Sequence, residues 1–240
     1  MAQVINTNVG ALFAGAALNK SAIGLQTAQQ RLSSGLRINS AKDDATGLVI
    51  ATGYDSQIRG TNMAIRNAND GISKAQTNDG YLSQITENLQ RLREIAVQSG
   101  GTASGVEAAA LVTENTRING LVTASGATVN SAAGTTFTGT GTAPTLAGTA
   151  TDTVANYDVD IAAVSTSRAK YGADMVALGS AVATMQSASV NLSASFSRVM
   201  DTDYAAESSN QSKNNILQQA GTAVLAQANQ TPQTVLTLLR

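Results

Sequence analysis

Residues 164–199 read VSTSRAKYGADMVALGSAVATMQSASVNLSASFSRV. From Val164 the apolar positions Tyr171, Met175, Leu178, Val182, Met185, Leu192, Phe196 and Val199 follow at steps of 7, 4, 3, 4, 3, 7, 4 and 3. That spacing keeps one apolar stripe on one side of a helix and predicts a heptad seam. A counterpart lies earlier in the chain, at Ile58, Ile65, Ala68, Ile72, Ala75 and Leu82, then Ile85, Leu89, Leu92 and Ala96, with one step out of register near Leu82. The two seams are expected to pack on each other. The fold class is therefore mainly α: long antiparallel helices in a coiled-coil or helical-bundle rod.

Local punctuation agrees. The only prolines are Pro144 and Pro232, so ring geometry breaks no helix in the first half. Asp43 and Asp44 stand where a helix start wants caps and negative charge, and Gly100-Gly101 stops the helix. A helix over residues 44–99 would be on the order of 80 Å long at about 1.5 Å per residue. A third helix is expected over 106–122. Asp201 and Asp203 begin the last, which carries Ile216, Ala220, Val224 and Ala228 on one face at four-residue steps. Each pair of aspartates reads as a helix boundary rather than an acid-base couple, since no titrating partner stands nearby.

Residues 125–160 change character. They are rich in Gly and Thr, as in TTFTGTGTAPTLAGT at 135–149, and residues 153–161 step through Val154, Tyr157, Val159 and Ile161. A small β-hairpin or sheet is predicted there, including 153–161. The GTG at 139–141 lacks a following Lys and a strand-to-helix frame, which excludes a phosphate loop.

Composition narrows function. The chain has no Cys, His or Trp, so a thiol nucleophile, an imidazole base, a His-ligated metal and disulfides are all excluded. No catalytic, cofactor or metal residue is assigned, and an enzyme is not expected. A net charge of −1 gives no basic excess for nucleic acid. Residues 1–30 carry only Lys20, while 118–151 and 214–239 carry no charged side chain. Terminal helices so poor in charge are ill suited to face water alone and point to an assembly subunit. The run VGALFAGAAL at 9–18 has no preceding Lys or Arg and is too short to span a bilayer, so neither cleavage nor membrane insertion is expected.

Two stretches carry a resemblance: residues 32–51, LSSGLRINSAKDDATGLVIA, and 224–240, VLAQANQTPQTVLTLLR. Both are similar to bacterial flagellins, the subunits of the flagellar filament, and the similarity extends over most of the chain. It implies that the chain is a compact family member with no room for large outer domains. The ends would form an inner core, 1–43 with its spoke and 201–240, and residues 44–200 an outer rod. Val9, Leu12, Ile216, Ala220, Val224 and Ala228 would serve inner-core assembly. The rod seam would use Tyr171, Met175, Leu178, Val182, Met185, Leu192 and Phe196.

The same resemblance implies export through the flagellum's own channel to an extracellular filament. The implied partners are other copies of the chain, the cap, the hook-filament junction proteins and a cytoplasmic chaperone. The segment LQRLREIAVQS at 89–99 matches the stretch by which flagellins engage Toll-like receptor 5. Leu89, Gln90, Arg91, Arg93, Glu94 and Ile95 would be its receptor or axial subunit contacts. Ala177 and Phe196 stand where the family usually has Arg, which implies altered protofilament packing. The Ser/Thr-dense central loop is a candidate for O-linked sugars. The alternative reading is a hook-filament junction protein, which shares the terminal regions.

Overall fold

A computed structural model describes residues 7–123, 128–130 and 136–238, with side chains placed at 7–123 and 137–230. Its elements are α1 (Val9–Ser34), α2 (Ala45–Gln98), α3 (Val106–Asn119), β1 (Thr128–Asn130), β2 (Thr136–Thr138), α4 (Val154–Met200) and α5 (Tyr204–Leu238). The mainly α architecture is thus observed. The strands form an antiparallel hairpin with Val129 opposite Phe137. Residues 125–127 and 131–135 of the predicted hairpin region lie outside the described residues.

The chain divides into two compact units, Met1–Tyr54 with Ala194–Arg240, and Asp55–Ser193. In the second, the buried seam of α2 runs Thr61, Ala64, Ala68, Gly71, Ala75, Asn78, Leu82, Ile85, Leu89, Leu92 and Ala96, with Asn88 and Ile95 buried beside it. The seam positions alternate at three and four residues throughout, so the predicted break near Leu82 is absent. Ile58, Ile65 and Ile72 are half-buried beside the seam. Small side chains hold its centre where Ala64 and Ala68 pack with Leu178 and Met185, because close helix approach leaves no room for a branched residue on both sides.

The facing stripe of α4 runs Tyr157, Val164, Tyr171, Leu178 and Met185, one residue every heptad. Met175 and Val182 are half-buried against it, and Leu192 is half-buried further along. Three residues after the first three of these sit Asp160, Ser167 and Asp174, all buried. The α3 residues Ala108 and Ile118 close the core over Leu82–Ala96, together with Ala103 and Val122.

The expected extended character of 153–161 is overturned, since α4 begins at Val154. Asp152 makes the start: its carboxylate accepts from the backbone amides of Thr149 and Thr153, each at 3.0 Å. Tyr157, Asp160 and Val164 then fall at helical three- and four-residue steps, and period-3.6 burial outweighs local β propensity.

Buried polar groups tie the helices to the intervening loops. Asn88 donates to Asn115 across α2 and α3 at 2.8 Å. The carbonyl of Thr123 accepts from Asn78 Nδ2 at 2.7 Å and from the Tyr171 hydroxyl at 2.8 Å. Asp174 accepts from the amides of Thr140 and Gly141, and Asp160 from those of Ala147 and Gly148. The segment after the hairpin is thereby held on α4 by two carboxylates, each satisfied by backbone donors.

In the first unit α1 pairs with α5. Asn8 caps α1 by accepting from Ala11 N at 3.0 Å, and Gly35 ends it at φ 73°, a left-handed conformation suited to glycine. Asp44 accepts from Gly47 N at 2.8 Å and opens α2. Asp203 accepts from the amides of Ala205 and Ala206 and opens α5, whereas Asp201 bridges back to Leu36. Ile38, Ala51 and Met200 form a small core, with Phe196 and Val199 packed on it.

Candidate assembly surface

In the α1–α5 pair it is α5 that inverts the usual order of an amphipathic helix over its first half. The α5 residues withdrawn from solvent are Glu207, Gln211, Asn214, Gln218, Gly221, Leu225 and Ala228, at steps of four and three. Four contacts join this face to α1: Glu207 to Arg31, Asn214 to Gly24, Gly221 to Leu18, and the Ala228 carbonyl to Asn8. The α1 side buries Ala14 and Ala28 and half-buries Leu18, Leu25 and Leu32. Small, polar and a few apolar residues therefore form the internal seam.

Several large apolar side chains face outward. Leu12 is 65% exposed, Ile216 65% and Val224 57%. Val9, Phe13, Ile23 and Leu217 are exposed as well. Of the residues expected to serve inner-core assembly, Ala228 alone lies on the α1–α5 seam, while Val9, Leu12, Ile216, Ala220 and Val224 stand on the open sides of the pair. A groove of about 480 Å³ runs along α5 beside Ile216 and Leu217, edged by Ser208, Ser212 and Lys213. Unpartnered apolar area of this kind gains free energy when covered. Phe13, Ile23 and Leu217 escaped the sequence reading, although their positions off the polar heptad 207, 211, 214, 218 would have found the last of them.

The expected receptor or axial patch separates into two sets. Leu89 is 2% exposed and Ile95 7%, both packed in the core of α2, α3 and α4. They orient the helix and present almost no side-chain surface. Gln90, Arg91, Arg93 and Glu94 are exposed. Arg91 Nε donates to Glu107 of α3 at 2.9 Å and its Nη1 to Glu94 at 3.1 Å. The hydrogen bond that Arg91 donates to Glu107, then the one it donates to Glu94, raises its guanidinium above the ordinary value. Arg93 Nε pairs with Asp158 of α4 at 2.6 Å. Glu114, the α3 acid near this patch in sequence, pairs with Arg117 at 2.6 Å, and that hydrogen bond lowers its carboxyl.

Two further carboxyls are depressed at helix boundaries. Asp43 is lowered first by the backbone amide of Asn39 and then by that of Ser40. Asp152 is lowered first by the Asn156 side-chain amide and then by the Thr149 backbone amide. Among the described residues no group of three or more acidic side chains converges as a metal site, and no helix is long and apolar enough to cross a membrane.

Comparison with known proteins finds two family regions, one towards each end of the chain. Residues 5–136 match the family described as bacterial flagellin N-terminal helical region, and residues 154–239 match the bacterial flagellin C-terminal helical region. Only 137–153 separates the two, which makes this a compact form without large outer domains. The flagellar filament 33 kDa core protein of Treponema phagedenis is 36% identical over 285 aligned residues, covering 99% of this chain and 100% of that protein. The flagellin of Xenorhabdus nematophila is 37% identical over 313, covering all of both. The flagellin of Salmonella muenchen is 55% identical over 130 residues, which are 53% of this chain and 26% of that longer protein. With both family regions matched and full-length relatives above 30% identity, the chain belongs to the bacterial flagellin family.

Proposed function

We propose that this chain is a structural subunit that self-assembles into the extracellular flagellar filament, the helical propeller of bacterial motility. The observation that carries this reading is the α1–α5 pair with its outward apolar residues. Its seam is made largely of polar and small residues, while Val9, Leu12, Phe13, Ile216 and Val224 are left open on helices almost without charge. A second copy is the occupant such a surface fits, because uncharged polar and apolar faces repeat on every subunit and no complementary charge is required. In this reading 1–43 and 201–240 build the inner core and 44–200 the outer region. The chain would leave the cell unfolded through the flagellar export channel under a chaperone. It would then fold beneath the cap, after the junction proteins.

Receptor engagement is proposed as a separate activity of the monomer. It would rest on Gln90, Arg91, Arg93 and Glu94, with Arg91 already held in a planar, preorganised pose by Glu107. Binding of soluble chain to Toll-like receptor 5, and its loss in Arg91→Ala, tests that activity independently of assembly.

Electron microscopy of the full chain after seeding or salting out, beside a chain lacking 214–240, tests the subunit reading. Filaments from the first and none from the second are expected. A full chain that remains monomeric under all these conditions moves the hook-filament junction reading ahead.

A further inference from the structure

We infer that the α1–α5 seam is a register lock, in which Gly24 receives Asn214, Gly221 receives Leu18 and Arg31 holds Glu207, so that one antiparallel alignment is selected. A Cβ added at residue 24 would lie 2.9 Å from Asn214 Nδ2 and 3.1 Å from its Oδ1. One added at 221 would lie 3.1 Å from Leu18 Cδ1. Each glycine is thus a hole, the two holes are on opposite helices, and each is filled by a side chain of the other.

Without such features the seam would be permissive. Its Ala, Ser, Gln and Leu recur at heptad spacing, and apolar contact is non-directional, so shifted alignments would bury similar area. Polar and steric exceptions are what specify register in paired helices. Glu207 is buried and reaches Arg31 at 3.5 Å, while Arg31 Nε is itself buried with no hydrogen-bond partner. Sliding α5 by a heptad would bring Gly24 opposite Gly221 or Glu207 in place of Asn214 and would strand the Glu207 carboxylate, even though in one direction Leu25 would stand in for Leu18 at Gly221. The ends carry the same alignment. Asn8 Nδ2 donates to the Ala228 carbonyl at 2.8 Å, and the Tyr204 hydroxyl donates to the Leu32 carbonyl at 3.2 Å.

The consequence is a division of labour. Polar and small residues choose the alignment within one chain, and that alignment decides which outward apolar residues of α1 stand beside which of α5. Only this last consequence rests on the subunit reading.

Introduced cysteine pairs test the lock, since the chain has no Cys of its own. The Leu18 Cβ lies 3.7 Å from the Cβ position at 221, inside the window of about 3.5–4.5 Å that a disulfide needs. Full-length Leu18→Cys/Gly221→Cys is oxidised mildly, both soluble and after salting out. It is compared with Leu25→Cys/Gly221→Cys, one heptad out, in which the thiol introduced at position 221 also crowds Leu18 and so favours slippage. Closure of the first pair over the second in either form is expected, and equal closure in both forms overturns the lock. In the first background Gly24→Val should suppress the disulfide and Asn214→Ala should restore it. An unchanged yield, or no restoration, likewise overturns it. Microscopy of the same samples separates the two readings. Register-specific closure without polymer sinks the subunit reading alone, and polymer with indiscriminate closure sinks the lock alone.

Discussion

The unit Asp55–Ser193 and the α1–α5 pair use the same heptad spacing to opposite ends. In the first, Leu82, Ile85, Leu92, Val164 and Tyr171 point inward and are fully buried, with Arg91, Arg93 and Arg117 at the surface. In the second, Gln211, Asn214 and Gln218 point inward while Leu12, Ile216 and Val224 point out. Periodicity states only that two helices pair. Which chemistry lies on the seam tells whether the pair is finished in one chain or waits for another.

Substitutions sharpen that contrast, beginning with the largest effect. Leu92→Ala removes a fully buried side chain and should cost about 2–5 kcal/mol, read by thermal or denaturant unfolding of the soluble chain. A change of less than about 0.5 kcal/mol, as at ordinary surface sites, would erase the distinction between the units.

Asn115→Ala comes next. It leaves the buried Asn88 amide without its 2.8 Å partner, for a loss of roughly 1–3 kcal/mol. Replacing both asparagines with leucine should recover part of that loss, and a larger loss would show that the pair does more than satisfy itself.

The terminal pair should respond in the other way. Ile216→Ser or Val224→Ser changes side chains that are 65% and 57% exposed, so the melting of the soluble chain should scarcely move. The concentration of chain left unpolymerised should rise instead, as measured by sedimentation. A destabilised soluble chain with unchanged polymerisation would break the comparison.

Acid provides the smallest effect. Asp43 and Asp152 have carboxyls depressed below the ordinary value, so their folded forms release protons more readily than the unfolded chain. The stability they lend is complete above the ordinary carboxylate pKa of about 3.9 and disappears as pH falls through their depressed values. Asp43→Asn should therefore cost a small amount of stability at neutral pH, flatten the acid limb of the unfolding profile below about pH 4, and match the parent chain once pH falls below the depressed value. The effect is small because Asp43 lies at the surface, and a stability difference that persists unchanged into acid would contradict this assignment.

Much of this arrangement was legible in the residues. The α4 stripe at Tyr171, Leu178 and Met185, the helix stop at Gly100-Gly101 and the charge-poor termini need only local spacing and composition. Three features were read wrongly or missed. Spacing places Ala68 and Ala75 on the α2 seam, but it also places Ile58, Ile65 and Ile72 there because size suggests burial, whereas Ala64 and Gly71 are buried instead and the isoleucines are half-buried. Residues 153–161 looked extended because short-range alternation carries no information about the three-residue step from Tyr157 to buried Asp160. Leu89 and Ile95 were grouped with Gln90 and Arg91 as surface contacts, although only the latter pair remains at the surface once α3 and α4 cover the helix.

The sequence by itself determined that this chain builds long paired helices and does so without Cys or His, since periodicity and composition are properties of the chain alone. Tertiary structure decided which side of each stripe is inside. That choice depends on how closely two backbones approach, and therefore on whether a glycine at 24 or 221 meets empty space or the side chain of another helix.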